Sequence, residues 1–168
     1  MLSQTRIVIN GVMEKYASDL MCNGKNWDIL EIGIDGDKPP SGSYEFFGQG
    51  NNWQTMDFLE RTKADFIVDI TKPRQIPDLK WDLVICIQTL EHIYKVHKAI
   101  KNIAKMTKQG GYAILDNPWM NQYHGQAEYG DFWRMSLPCM EKLCEDVGME
   151  KIDGIQHEHY VSILARKL

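Results

Sequence analysis

Trp81-Asp82-Leu83-Val84-Ile85-Cys86-Ile87 (WDLVICI) is a nearly unbroken run of apolar, largely β-branched residues. A half-buried strand alternates polar and apolar positions, whereas a strand covered on both faces inside a parallel sheet is apolar almost throughout. The run is therefore predicted to be a central strand. Downstream, Ile93, Val96, Ile100, Ile103 and Ala104 fall on one helical face, and Gly110-Gly111 is expected to close that helix before a further strand at Tyr112–Asp116. Strand, amphipathic helix and strand in this order form a βαβ unit. The fold class expected is α/β, with a doubly wound, mostly parallel sheet of Rossmann-like type.

Toward the N-terminus, Ile9, Val12, Met13, Tyr16, Ala17 and Leu20 recur at three- and four-residue steps. They predict an amphipathic helix within residues 1–24, capped near Asn23-Gly24. Trp27–Gly33 reads as a short strand ending in glycine, and the Gly-, Pro- and Ser-rich stretch 35–52 as a long loop with at most one helical turn. Strands are expected at Gln54–Phe58 and Ala64–Ile70, joined by about six residues, fewer than the roughly 10–12 of an ordinary parallel crossover. Ser136 is placed as the N-cap of a helix running to Gly148. Glu150–Gln156 and Tyr160–Arg166 are then too close in sequence for a parallel crossover and should pair as an antiparallel hairpin. With no repeat and no linker, residues 1–168 are read as one domain.

The chain has 168 residues, 43% hydrophobic and 25% charged, which is the composition of an ordinary globular domain. A net charge of −4 supplies no electrostatic reason to expect nucleic acid or an anionic membrane as partner. Cys22, Cys86, Cys139 and Cys144 form no CxxC pair and are read as reduced thiols. The opening MLSQTRIVIN lacks the pattern of a signal peptide, and no apolar run approaches a membrane span, so a cytoplasmic location is expected. No pattern specifies an oligomeric state.

Chemistry gathers at the predicted strand ends. In Glu31-Ile32-Gly33-Ile34-Asp35-Gly36 the glycines permit close backbone approach to a nucleoside ligand, and Asp57, at the end of the second strand, is suited to ribose hydroxyls. Asp69 ends the third strand, and with Ile70 it can meet the edge of an adenine. Such ligands bind outside the carboxyl ends of the strands.

Together DILEIG, ADFIVDIT, WDLVICIQTLEHI and QGGYAILDNP resemble the class I S-adenosylmethionine-dependent methyltransferases, in particular the short type-11-like families, over residues 28–168. The resemblance implies S-adenosylmethionine as cofactor. Glu31, Gly33 and the following Asp35 and Gly36 would hold its methionine end, Asp57 the ribose, Asp69 with Ile70 the adenine, and Gln88 the floor beside the sulfonium. One departure is that Gly33-Ile34-Asp35-Gly36 lacks the middle glycine of the family's E-x-G-x-G-x-G pattern.

Glu91-His92 is read as local structure, His92 orienting the next helix and Glu91 hydrogen-bonding backbone. A divalent ion would need a further donor, such as an acid at position 88, where the poorer ligand Gln88 stands; no metal is expected. The segment 117–134 is the candidate lid, resembling the H-x(n)-D-Y-W-R stretch of some type-11-like members. Trp119, Tyr129, Asp131 and Arg134 are its candidate substrate contacts. His124, then His92, is the candidate general base, since an imidazole near neutral pKa can take a proton at working pH. The activity expected is in-line O- or N-methylation of a small polar or sugar-like acceptor. The alternative is a catalytically degenerate methyltransferase-fold module that binds cofactor or a partner.

Overall fold

The computed structural model describes residues 3–21, 25–34 and 43–168, with side chains from Asn10 onward. In chain order the elements are α1 (Ser3–Met21), β1 (Asp28–Ile32), α2 (Tyr44–Phe47), β2 (Asn52–Asp57), β3 (Phe66–Ile67), β4 (Trp81–Ile87), α3 (Val96–Met106), β5 (Thr107–Pro118), α4 (Leu137–Glu145), β6 (Met149–Gln156) and β7 (Tyr160–Lys167). Single 3₁₀ turns at Glu60–Thr62 and Leu90–His92 follow β2 and β4. The described strands form one sheet of order β3-β2-β1-β4-β5-β7-β6. Pairing is parallel from β3 to β5, and β7 runs antiparallel to both β5 and β6.

β4 lies between β1 and β5, as its composition requires, and six of its seven residues are buried. The two-residue period of a strand sorts its side chains between two cores. Val84 and Cys86 join Leu30, Ile32, Ala113 and Leu115 under α3 and α4, against Ile100, Ile103 and Met140. Leu83 and Ile85 join Ile29, Ile114 and Leu164 under α1, against Val12, Met13, Tyr16, Ala17 and Leu20. Each fully buried aliphatic side chain of this kind contributes about 1.5–3 kcal/mol. No helix among the described residues is long and apolar enough to cross a membrane.

Several boundaries differ from the sequence reading, each for a local reason. α3 ends at Met106, where the Thr107 hydroxyl donates back to the Ile103 carbonyl at 2.9 Å, and β5 starts at once. Gly110-Gly111 therefore lies inside the strand. Gly110 takes φ +75°, and a Cβ on Gly111 would stand 2.8 Å from the Asp82 carbonyl, at the register shift between Trp81 and Leu83. The pair makes a bulge, which draws on the same positive-φ freedom as a helix cap. β3 is only two residues long, paired at Met56↔Phe66 and Asp57↔Ile67, so the short crossover closes through one 3₁₀ turn. Asp65 secures it by accepting from the Thr55 amide at 2.7 Å and hydroxyl at 2.8 Å. α4 stops at Glu145, before Gly148. The C-terminal hairpin forms as expected. Asn23-Gly24, Cys22 and residues 35–42, including Asp35 and Gly36, lie outside the described residues.

Candidate functional site

A cleft of about 1520 Å³ opens at the carboxyl ends of β1, β2 and β4. Ordinary small-molecule pockets measure about 300–1,000 Å³, so it has room for two ligands side by side. On one side it is lined by Glu31, Gly33, Asp57, Asp69 and Ile70, on the other by His92, His124 and Tyr129, with Gln88 also in the wall.

Gly33 leaves β1 at φ +78° and donates to the Met56 carbonyl at 2.9 Å; a Cβ there would stand 2.0 Å from the Thr89 hydroxyl oxygen. Asp57, 8% exposed, is oriented by two backbone amides, accepting from Ile34 at 3.1 Å and Leu59 at 2.8 Å. Burial pushes its carboxyl pKa upward against those amides. Asp69 caps its own turn, accepting from the Thr71 amide at 2.9 Å and hydroxyl at 2.8 Å, and it pairs with Lys72 at 3.4 Å. Partial burial would raise its pKa, but these partners hold it below the ordinary value. Gln88 occupies the left-handed region at φ 48°, uncommon for a residue with a side chain. Its amide donates to the Asp116 carbonyl at 3.0 Å, and its Nε2 donates to the Asp116 carboxyl at 2.6 Å. Asp116 is fully buried, and burial raises its pKa far above the carboxylate range.

The opposite wall is built differently. Asn117 and Pro118 are the buried end of β5, so the irregular segment begins at Trp119 and carries one isolated bridge, Gln126↔Tyr129. Arg134 organises it, donating to Asp131 Oδ2 at 2.7 Å and to the carbonyls of Asn121 at 3.2 Å, Gln122 at 3.0 Å and Trp133 at 2.8 Å. Asp131, its side chain 1% exposed, also accepts from the His124 amide at 2.9 Å. The Arg134 guanidinium holds the Asp131 carboxyl at about 2. Phe132 donates to the Glu91 carbonyl at 2.7 Å and the Trp133 indole to the Ile93 carbonyl at 3.0 Å, stapling the segment to the end of β4. Arg61 reaches Glu128 at 3.2 Å, both residues lining the cleft, a link that residue spacing does not reveal. Trp119, Asp131 and Arg134 are not among the described lining residues; Met120, Gln122 and Tyr123 are. These three follow no chemical pattern that would single them out in a sequence.

Glu91 differs from its sequence reading. Its backbone carbonyl accepts from Phe132, yet its carboxylate, 0% exposed, has no hydrogen-bond partner on either oxygen among the described residues. His92 Nε2 stands 3.6 Å and His124 Nε2 3.5 Å from Oε1. The far nitrogens are occupied: His92 Nδ1 lies 2.6 Å from the Gly130 carbonyl, and His124 Nδ1 lies 3.2 Å from the Gln122 carbonyl and 3.3 Å from Asp131 Oδ2. Glu91, and after it the Gln122 carbonyl and Asp131, raise the His124 pKa above the ordinary histidine value against the opposing effect of burial. The loop thus brings His124 onto the Glu91-His92 turn, which spacing alone does not reveal.

A family model described as a methyltransferase domain matches residues 10–147. Among solved structures, 1,6-didemethyltoxoflavin-N1-methyltransferase from Burkholderia thailandensis, with S-adenosylhomocysteine bound, is similar over 92% of this chain and 77% of its own, at 12% identity and TM-score 0.67. N-methyltransferase NodS from Bradyrhizobium japonicum WM9, also with S-adenosylhomocysteine, covers 92% and 85% at 14% identity and TM-score 0.63. An O-methyltransferase family protein from B. thailandensis covers 95% of this chain and 56% of its own, at 14% identity and TM-score 0.66. No curated protein sequence matches the chain.

Proposed function

The chain belongs to the methyltransferase-domain family, and from that membership we propose that it moves a methyl group from S-adenosylmethionine to an oxygen or nitrogen of a small polar acceptor. The observation that carries this reading is the continuity of one cleft, from the strand-end acids Glu31 and Asp57 to the histidine pair beyond them. The donor set fits a nucleoside cofactor. Asp57 presents an oriented carboxylate for ribose hydroxyls, Glu31 and the Gly33 turn face the amino-acid end, and Ile70 with Asp69 flanks the base. S-adenosylmethionine supplies a sulfonium-bound methyl whose leaving group needs no protonation, so the protein's contribution is chiefly alignment.

The segment 119–134 acts as a lid in this reading. Tyr129 and His124 contact the acceptor, while Trp119, Asp131 and Arg134 support the segment from behind. An acceptor hydroxyl must also lose its proton, and His124 and His92, above the Glu91 carboxylate, are where that proton and the accompanying charge are handled. Calorimetric titration with S-adenosylmethionine and S-adenosylhomocysteine, followed by a screen of hydroxylated and amino metabolites for S-adenosylhomocysteine release, tests the proposal. Binding with acceptor-dependent release is expected. Absence of cofactor binding would refute it. Binding without turnover of any acceptor would favour a cofactor-binding module, a reading supported by the missing middle glycine after Gly33.

A further inference from the structure

We infer that Glu91, His92 and His124 form a site for one divalent transition-metal ion of the zinc class, open to the cleft where the acceptor binds. One carboxylate oxygen and two imidazole nitrogens from these residues lie within 4.8 Å of one another. Imidazole donors favour zinc and its neighbours over magnesium or calcium. Two donors about 2.1 Å from a tetrahedral ion stand roughly 3.4 Å apart. The two nitrogen-to-carboxylate separations are 3.6 and 3.5 Å.

Two further features point to a ligand at this spot. The Glu91 carboxylate is fully buried and neither oxygen has a hydrogen-bond partner among the described residues, an arrangement that costs stability unless a cation meets it. Both histidines also carry the outer support usual for metal ligands, Nδ1 held by a carbonyl or a carboxylate so that Nε2 is presented inward. The third donor that Gln88 fails to supply comes instead from His124.

His92 and His124 face the cleft and Glu91 lies behind them, so three protein donors leave a coordination position toward the acceptor. This part of the inference rests on the methyltransferase reading. A hydroxyl bound at that position would give up its proton to solvent water in the open cleft near neutral pH, because the ion stabilises the alkoxide. The acceptor class is then an alcohol, phenol or vicinal diol, and the histidines act as ligands rather than as bases. A proton held on His124 would be the competing way of balancing Glu91.

The experiment is zinc titration, by calorimetry and elemental analysis, of the full chain after chelation and dialysis, with cobalt(II) as the spectroscopic probe. One equivalent of zinc per chain is expected, with the visible bands of a nitrogen- and oxygen-bound cobalt ion. His124→Ala, on the loop, and Glu91→Gln should each weaken binding at least about 100-fold. No zinc uptake, or uptake unchanged in folded His124→Ala, would overturn the site and leave the proton as the partner of Glu91. Titrating S-adenosylhomocysteine into the metal-free wild type reports on the methyltransferase reading independently.

Discussion

The two walls of the cleft are held by different means. Glu31, Gly33 and Asp57 sit in or beside a hydrogen-bonded ladder, where pairs such as Ile32↔Met56 and Asp57↔Ile67 set their positions. Facing them, His124 and Tyr129 sit on a segment with one isolated bridge, positioned by the Arg134 fork and the contacts to Glu91 and Ile93. The first wall inherits its order from the sheet, and truncating a side chain such as that of Asp57 there removes a contact while the ladder keeps its place. On the second wall a few side chains carry the whole arrangement, and losing one moves the rest.

Arg134→Ala should give the largest effect. It strips the buried Asp131 of its cation and frees the Asn121 and Gln122 carbonyls; since misplacement of reacting groups by about 1 Å can cost 10²-fold, turnover should fall by roughly that factor. S-adenosylhomocysteine affinity, measured by calorimetry, should stay within about twofold. An equal loss of both would mean that the two walls are one mechanical unit. Asp57→Ala should do the reverse, lowering cofactor affinity roughly 10- to 100-fold through loss of a charged hydrogen bond of about 1.5–3 kcal/mol. Its melting temperature should hold.

A smaller effect is expected in acid and alkali. Asp131 is held at about 2, below the ordinary carboxylate value, so its contribution to stability is present above that ordinary value and is lost as pH falls through about 2. In the metal-free chain His124 has the opposite sign: with its pKa raised, its contribution is complete below the ordinary histidine value and is lost as pH rises through the folded one. Denaturant unfolding across pH should show a shallower acid limb for Asp131→Asn than for the wild type, since Asp28, Asp69, Asp82 and Asp153 are also held low, and a shallower limb near and above neutrality for metal-free His124→Ala. The smallest effect belongs to Glu128→Ala. The Arg61–Glu128 pair is half exposed on both sides and should be worth about 0–1 kcal/mol, vanishing at high salt.

The same contrast governs what could be read from the sequence. β4, α3 and the hairpin were legible because burial on two faces, on one stripe, or across a short turn each imposes its own residue pattern. Gly110-Gly111 does not declare its place in the sequence because a cap and a bulge demand the same backbone freedom, and the pattern overstates β3 because Val68 and Ile70 are apolar for the sake of the cleft wall and the core rather than of a ladder. The acids at the strand ends could be located from their elements. Glu91 and His124 could not be joined, because the contact depends on how Arg134 folds the intervening loop.

The docking of α1 also bears on occupancy of the cleft. Met13, 1% exposed, packs in the core between α1 and the sheet, yet it and Asn10 also border the cleft. Any ligand that needs this wall intact draws its affinity partly from the docked helix and returns the same free energy to it, as thermodynamic linkage requires; the shift is about 2.7 kcal/mol at a ligand concentration 100 times Kd. Limited proteolysis should therefore cut within α1 more slowly when S-adenosylhomocysteine is present, making the N-terminal helix a reporter for a ligand bound at the far ends of the strands.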